Sequence, residues 1–378
     1  MDRDKSVFVM MPYPLHQVRL NKSVFRSVME LNRKYLDEIP EERLLYSFMV
    51  NAGIETTAEP LGGWERPDCK LRGHFLGHFL SACARYFAIE NDKELKEKAD
   101  RIIELLSYCQ EKLGGKYLSA FPESELDLLE QNEDHDVWAP YYTLHKIMQG
   151  LLDCYLLCGS HKAFGIVKKM TDYIIARFSK LSFWKIDGIL RCTRVNPKNE
   201  FGGMSKVLHQ LYLATGEDKH LEIAHIFDRP YFLENLKNKK DVLTNLHANT
   251  HLPIIIGAAL HYEITGDINY KISVENFYKY LKRRTYVNGN SSGPAAQPDG
   301  GTSDKSEHWG EYEQLSMALS GGECESCCAH NTQKVLEHLL QWTGDTVYGD
   351  HIERLMYNSV INATSRKSGC WRNGLPIN

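Results

Sequence analysis

Residues 141–178 read YYTLHKIMQGLLDCYLL, then CGSH, then KAFGIVKKMTDYIIARF. Apolar side chains recur three and four positions apart on both sides of the four-residue interruption, which predicts two amphipathic helices. The glycine between them is typical of a helix C-terminus. This stretch therefore predicts a helical hairpin joined by a tight turn.

The same hairpin pattern recurs along the chain. The sequence predicts five such units, each with a first helix, a turn rich in Gly, Asn or Asp, and a second helix, at residues 74–110, 141–178, 202–228, 252–281 and 332–361. The turn residues supply a helix C-cap and then an acidic first turn. Hairpins with apolar faces on both helices bury those faces by stacking side by side. We therefore expect an all-α fold that closes into an α/α toroid, since the repeats of an open solenoid are shorter and more even in length.

The predicted domain organisation is simple. Residues 1–22 are interrupted by prolines and are expected to be extended, and helical periodicity begins at Ser23. Residues 23–378 are expected to form one helical barrel domain. Strand-like character is confined to short segments, of which 117–122 and 188–194 are the clearest.

Composition narrows the classes of partner. The 378 residues are 43% hydrophobic, and 45 basic against 49 acidic residues give a formal charge of -4. This balance provides no basic field for nucleic acid, and no apolar run is long enough to span a membrane. The N-terminus lacks the pattern of a signal peptide, and most of the ten cysteines are scattered, which favours a reducing, cytoplasmic location. The sequence does not indicate an oligomeric state.

One window is unusually rich in groups that transfer protons or bind soft metals. Between residues 307 and 330 the chain contains Glu307, His308, Glu323, Cys324, Glu325, Cys327, Cys328 and His330. Carboxylates and imidazoles serve as general acids and bases, whereas thiolates bind zinc. This window is the strongest candidate for a functional site.

Further candidates lie at the predicted entries to helices. Trp64 and Glu65 follow a Gly-Gly turn and could stack on a sugar and hold its hydroxyls, or belong to an ordinary capping loop. His74 and His78 have metal-ligand spacing, but their aromatic neighbours favour a packed helix.

Two other histidines lie in polar or aromatic surroundings. His145 follows a run of half-polar rings, which are poor core material. His247 begins the run HANTHLP, in which the proline accounts for the start of a helix but not for the two histidines and the asparagine. We interpret both histidines as candidate ligand-binding residues.

Six motifs in the same order resemble a known family. They are LGGWERPDCKLRGHFLGHFLSA, WAPYYTLHKIMQGLLDCY, GGMSKVLHQLYLATG, NLHANTHLPIIIGA, YVNGNSSG followed by SEHWG, and ECESCCAHNTQKVLEHLLQWTGD. Together they resemble the β-L-arabinofuranosidases of glycoside hydrolase families 127 and 146, from about Pro14 to about Asn362. The resemblance implies a catalytic (α/α)6 barrel followed by β-sandwich domains. It also implies a retaining mechanism with a cysteine thiolate nucleophile, a glutamate acid/base, and a zinc ion held by one Glu and three Cys.

The resemblance assigns roles to particular residues. Glu307 falls at the acid/base position, and Glu325 and Cys327 fall at the first two zinc ligands. Zinc would keep a neighbouring cysteine as thiolate, and burial would raise the pKa of Glu307 to suit an acid that later acts as a base. The positions that match sugar-contacting histidines or the loop at the cavity mouth are Trp64, Glu65, His145 and His247.

The sequence departs from the family after these motifs. The remaining family ligands, including the nucleophile, come from a downstream Cys-Cys pair, whereas the later part of this sequence contains Cys370 alone. We therefore expect a C-terminally incomplete barrel without the β-sandwich region.

The expected function is that of a retaining glycoside hydrolase domain acting on β-L-arabinofuranosides or related plant-type glycans. The alternative is a catalytically inactive carbohydrate-binding or assembly toroid with a structural cysteine cluster.

Overall fold

The structure, a computed structural model, describes residues 7–131, 137–190, 200–293, 307–318 and 323–365. The chain divides into two compact units. The N-terminal unit comprises residues 13–191 and 198–207, and the C-terminal unit comprises residues 1–12, 192–197 and 208–378.

The described part of the N-terminal unit is built from α-helices. They are α1 (Val24–Glu38), α2 (Glu41–Asn51), α3 (His74–Glu90), α4 (Lys93–Lys112), α5 (Ser124–Gln131), α6 (Pro140–Cys158), α7 (His161–Phe178) and α8 (Phe183–Ile189). Short 3-10 turns occur at Leu15–Gln17 and Gly63–Glu65, and α9 (Gly203–Thr215) contributes residues to both units.

The hairpin turns form as the sequence predicts. Between α6 and α7, Gly159 ends the first helix at φ 71°, and the Ser160 hydroxyl accepts a hydrogen bond from Ala163 N–H. Between α3 and α4, Asn91 adopts φ 56° and Asp92 accepts from Leu95 N–H. A left-handed residue closes one helix and a polar N-cap opens the next, so the chain reverses within two residues.

Helices α3 and α6 approach each other backbone to backbone. A Cβ atom on Gly77 would collide with the Lys146 carbonyl, and one on Gly150 would lie 2.5 Å from the Gly77 carbonyl oxygen. Glycine at these two positions therefore sets the separation of the helices, because any side chain would push them apart.

The C-terminal unit contains a helix that is buried over most of its length. Its helices are α10 (Asp218–Ile226), α11 (Pro230–Lys237), α12 (Ala248–Thr265), α13 (Ile268–Lys282), α14 (Ser326–Thr343), α15 (Thr346–Leu355) and, after the π-helical turn Met356–Val360, α16 (Ile361–Ala363). In α12 every residue from Ala248 to His261 is buried. Polar side chains at the start of α12 are thus fixed by the protein around them.

The all-α prediction is confirmed. The residues that the structure describes include no β-strand, and an isolated antiparallel bridge pairs His247 with His308. The strand-like reading of 188–194 is wrong for Gly188 and Ile189, which end α8, and residues 191–194 lie outside the described ranges. Segment 117–122 is likewise not a strand. None of the described helices combines the length and apolarity needed to cross a lipid bilayer.

Candidate functional site

Glu307 and His247 are brought together by backbone hydrogen bonds. Ala248 N–H donates to the Glu307 carbonyl at 2.9 Å, and Trp309 N–H donates to the Leu246 carbonyl at 3.0 Å. These bonds hold the segment that starts at Glu307 against the N-terminus of α12. As a result, His247 Nε2 lies 3.0 Å from Glu307 Oε2.

A chain of hydrogen bonds orients the His247 ring. Its Nδ1 lies 2.7 Å from Thr250 Oγ1, a hydroxyl that can donate to the neutral ring or accept from the protonated one, and in both states the Nε2 proton points at Glu307. Behind this ring, His251 Nδ1–H donates to the His247 carbonyl at 2.8 Å, and His251 Nε2 lies 3.1 Å from the Tyr231 hydroxyl. Burial lowers the pKa of His251 to about 3, despite its hydrogen bond to the His247 carbonyl, so this ring is neutral at physiological pH.

The electrostatics of Glu307 differ from the expectation. Burial opposes its ionisation, but the hydrogen bond from His247 and the charges of His247 and His308 outweigh burial, so the pKa of Glu307 lies below its usual value. Its side chain is 28% exposed, whereas that of His247 is only 5% exposed. Glu307 is therefore an ionised carboxylate that faces solvent on one side and a fixed imidazole on the other. The expectation that burial would raise its pKa omitted the two imidazoles.

The backbone at this site is strained. Glu307 has φ 55° and Cys324 has φ 70°, in the left-handed region that residues with a Cβ rarely adopt. Strain of this kind persists where the surrounding structure over-determines a conformation, and it concentrates at functional sites. Both residues belong to the window that the sequence singles out.

The predicted metal ligands lie at the start of α14. Glu325 is the N-cap residue; its N–H donates to Ser292 Oγ at 2.9 Å, and Asn290 Nδ2 donates to its carbonyl at 2.8 Å. The Cys328 thiol donates to Glu325 Oε2 at 3.4 Å. Cys327 is half-buried on the same helical turn.

The other two cysteines of the window are protonated. Burial raises the pKa of Cys324 to about 12, and burial together with the charge of Glu325 raises the pKa of Cys328 well above its usual value. Glu325 and Cys327 occupy two of the four ligand positions that the resemblance implies for zinc. This part of the described chain falls short of a complete four-ligand site.

A single loop connects the Glu307 and Glu325 regions. Gly293 N–H donates to the His308 carbonyl at 2.9 Å, and the indole N–H of Trp309 donates to Ser291 Oγ at 3.1 Å. The adjacent Ser292 accepts from Cys324 N–H at 3.3 Å through its carbonyl. The segments that carry Glu307 and Glu325 are therefore both held by the loop at residues 291–293. This serine pair belongs to the motif YVNGNSSG, but the sequence gives no role for it, because its contacts depend on how distant segments pack.

In the N-terminal unit, Glu65 caps a helix. Its carboxylate accepts from Gly73 N–H at 2.6 Å and from Phe75 N–H at 2.9 Å, at the start of α3. His74 Nδ1 also lies 2.9 Å from Glu65 Oε1. Capping of α3 is thus an observed role of Glu65, and binding of substrate would use its remaining lone pairs.

Trp64 and His145 belong to a row of rings in the same unit. The ring centroid of His74 lies 6.1 Å from that of Trp64 and 5.7 Å from that of Tyr142, and Tyr142 lies 6.5 Å from His145. Trp64 is 50% exposed, whereas His145 is buried, its ring filling the space where a Cβ on Gly203 would otherwise lie. The half-exposed indole offers a flat apolar face of the kind that stacks on sugars.

A second group of potential metal ligands lies elsewhere in the C-terminal unit. Among the residues with described positions, His209, His225, Asp228 and His261 place their ligand atoms within 4.8 Å of one another. No single sequence motif contains this group, because its members come from separate parts of the chain.

Comparison with known proteins identifies the relatives of this chain. Residues 17–375 match the model of the β-L-arabinofuranosidase GH127 catalytic domain. A solved GH127 β-arabinofuranosidase is similar with a TM-score of 0.65 and 18% identity, over 98% of this chain and 57% of its own. A GH127 β-L-arabinofuranosidase from Geobacillus stearothermophilus T6 is similar with a TM-score of 0.68 and 17% identity, over 95% of this chain and 58% of its own.

Another solved structure, a glycoside hydrolase, is similar with a TM-score of 0.60 and 17% identity, over 89% of this chain and 51% of its own. At these identities the likeness shows a shared fold, and this chain spans between half and three-fifths of the length of these three structures. The comparison with curated proteins gave no match. The family resemblance and the all-α fold class are confirmed.

Proposed function

We propose that this chain, which belongs to the family of β-L-arabinofuranosidase GH127 catalytic domains, acts in the hydrolysis of β-L-arabinofuranosides or related plant-type glycans with retention of configuration. The observation that carries this proposal is the Glu307–His247 pair. A partly exposed carboxylate hydrogen-bonded at 3.0 Å to a buried, oriented imidazole can both deliver and accept a proton.

Glu307 is the acid/base in this proposal. In the first step its carboxylic acid donates a proton to the glycosidic oxygen while the cysteine thiolate attacks the anomeric carbon and the bond to the leaving group breaks. In the second step the carboxylate accepts a proton from a water molecule, which attacks the anomeric carbon and breaks its bond to the cysteine sulfur. His247 supports both states, because a proton can move along the hydrogen bond between its Nε2 and Glu307 Oε2.

The lowered pKa of Glu307 gives this pair a defined resting state. The free site holds an ionised carboxylate beside an imidazolium, so the proton needed for the first step passes from His247 Nε2 to Glu307 Oε2 when substrate excludes water. The His251 ring, which lies behind His247, is neutral and donates to the His247 carbonyl rather than to its ring, so it takes no part in this exchange.

The nucleophile in this proposal is a cysteine thiolate, as the family resemblance implies. Cys324 and Cys328 are not assigned this role, because both are buried and their thiols contact Asn288 and Glu325. Glu325 and Cys327 are proposed as the first two ligands of the implied zinc ion. When bound, zinc would supply a positive field that stabilises a nearby thiolate.

Each unit offers groups that suit contacts with a sugar. His247 would hydrogen-bond a sugar hydroxyl in addition to orienting Glu307. In the N-terminal unit, Trp64 would stack on a sugar ring, and Glu65 and His145 would hold hydroxyl groups. The expected partner is therefore an oligosaccharide or glycan.

The test is hydrolysis of an aryl β-L-arabinofuranoside, with zinc present, followed by NMR of the first-formed anomer. We expect release of the β-anomer by the wild-type chain and its loss in Glu307→Gln. The matched control is Glu311→Gln, four residues away, whose exposed carboxylate accepts from Thr244. Absence of hydrolysis by the wild type, with sugar affinity equal in the wild type and Glu307→Gln, would instead support the non-catalytic binding toroid.

A further inference from the structure

Three histidines and an aspartate converge inside the C-terminal unit, away from the residues assigned to catalysis. His209 belongs to α9, His225 to α10 and His261 to α12, while Asp228 follows α10. We propose that His209, His225, Asp228 and His261 bind one zinc ion, or a divalent transition metal of similar preference, and that this ion fastens the three helices together.

The hydrogen-bonding geometry is the first argument. His261 Nδ1 lies 3.3 Å from His209 Nε2, 2.9 Å from His225 Nε2 and 3.3 Å from Asp228 Oδ2. One imidazole nitrogen either donates a single hydrogen bond or accepts one. Three polar atoms around it at these distances exceed what the ring can satisfy, whereas a cation among them would use all of their lone pairs.

The separations also match those of a tetrahedral site. Ligand atoms about 2.05 Å from zinc in a tetrahedron lie about 3.3 Å from one another. Two of the observed separations, from His261 Nδ1 to His209 and to Asp228, have this value. The contact with His225, at 2.9 Å, would lengthen by a few tenths of an ångström on binding. The four ligand atoms lie within 4.8 Å of one another, so rotations of their side chains would bring them to these separations.

The surroundings fit a held metal centre. The Tyr270 hydroxyl donates to Asp228 Oδ2 at 3.2 Å, and the Tyr270 ring stacks on His261 with centroids 3.7 Å apart. Outer hydrogen bonds of this kind orient metal ligands. His209, Asp228 and His261 are buried, whereas His225 is exposed and gives the ion a route in.

The donor set selects the kind of metal. Three imidazole nitrogens and one carboxylate oxygen suit zinc, cobalt or nickel, while calcium and magnesium prefer oxygen ligands. Four protein ligands close the coordination shell, which is typical of a structural rather than a catalytic site. The site contains no sulfur, so it is chemically distinct from the Glu325–Cys327 pair.

The test uses metal-free protein titrated with cobalt(II), whose visible spectrum reports its ligands. We expect one equivalent to bind with tetrahedral bands that carry no thiolate charge transfer, and Cys327→Ser, which removes any thiolate contribution from the Glu325–Cys327 pair, should leave these bands unchanged. His225→Ala, which truncates an exposed ligand, and Asp228→Asn, which preserves shape, should each lose this equivalent. His161→Ala, at an exposed histidine in α7, is the matched control and should bind as the wild type does.

A second readout separates ligands from the residue that positions them. Tyr270→Phe keeps the stacked ring and removes the hydroxyl that holds Asp228, so we expect it to retain the tetrahedral spectrum while its cobalt affinity falls about 10- to 100-fold. The proposal is overturned if the wild type binds no cobalt with nitrogen and oxygen ligands, or if His225→Ala and Asp228→Asn bind it undiminished. Neither result depends on glycosidase activity, so failure here leaves the proposed function standing.

Discussion

The Glu307–His247 pair and the His209–His261 cluster both join imidazoles to a carboxylate within one unit, yet they are built for different chemistry. His247 directs one nitrogen at Glu307 and the other at Thr250, so the ring lies in a line of hydrogen bonds. His261 Nδ1 instead lies within 3.3 Å of three polar atoms. A line of hydrogen bonds suits the transfer of a proton, whereas several donor atoms around one point suit the binding of a metal ion.

Exposure sharpens the contrast. The Glu307 side chain is 28% exposed and can meet a substrate, whereas Asp228 is 3% exposed and can meet only its neighbours. The first site is strained at Glu307, with φ 55°, as suits a group held ready for reaction. The histidines of the second site come from three separate helices, as suits a metal site with a structural role.

The largest expected effect comes from a substitution in the Glu307–His247 pair. Glu307→Gln removes the transferable proton while preserving shape, so kcat should fall about 10²- to 10⁴-fold. Because protonation matters most for a poorly acidic leaving group, the loss should be greater for an alkyl than for a nitrophenyl β-L-arabinofuranoside. Initial rates on both substrates check this, and equal losses on the two would argue against proton transfer by Glu307.

The next effect belongs to the metal cluster. Zinc at a hundred times its Kd should raise the free energy of unfolding of the wild type by about 2.7 kcal/mol. Asp228→Asn should show little of this gain, because its neutral amide is a poor zinc ligand. Denaturant unfolding with and without zinc measures the difference. Glu234→Gln, a nearby carboxylate on α11 outside the cluster, should gain as much as the wild type.

A pH effect tests the imidazole behind the first site. The pKa of His251 is lowered to about 3, below its unfolded value of about 6.5, so its contribution to stability is complete above about pH 6.5. As the pH falls towards about 3, the unfolded chain binds a proton that the folded chain does not, and stability is lost. His251→Gln, which cannot titrate, should show a shallower decline between these values. Denaturant unfolding at a series of pH values measures it, and identical slopes would contradict the assignment.

The smallest effect concerns the orientation of His247. Thr250→Val removes the hydroxyl 2.7 Å from its Nδ1, which should cost about 0.5–1.5 kcal/mol and lower kcat by about 2- to 12-fold. Thr250→Ser, which keeps the hydroxyl, should recover most of the rate. Kinetics of the two variants at matched folding stability provide the measurement.

The sequence predicts the helical framework because its signals are local. Apolar periodicity marks the helices, and Gly159, Gly266 and Gly344 end them at φ 71°, 74° and 68°. These glycines lie in the turns that the hairpin pattern predicts. Local signals fail where tertiary packing overrides them. Gly188 and Ile189 have a strand-like pattern but form the end of the short helix α8.

The sites depend on contacts that no local pattern records. Family motifs marked Glu307 and His247, and the structure adds that they touch across 60 residues of sequence. The lowered pKa of Glu307 could not be foreseen, because it depends on where His247 and His308 lie. The metal cluster had no motif, since His209, His225 and His261 come from three helices whose packing alone brings them together.

The central claim, that Glu307 transfers the proton, is tested most directly by chemical rescue. Glu307→Ala should hydrolyse a nitrophenyl β-L-arabinofuranoside slowly, because no base activates water to release the sugar. Azide needs no base, so it should raise the turnover and yield the β-L-arabinofuranosyl azide, while leaving the wild-type rate unchanged. A Glu307→Ala variant as fast as the wild type, or a slow one that azide does not accelerate, would contradict the claim.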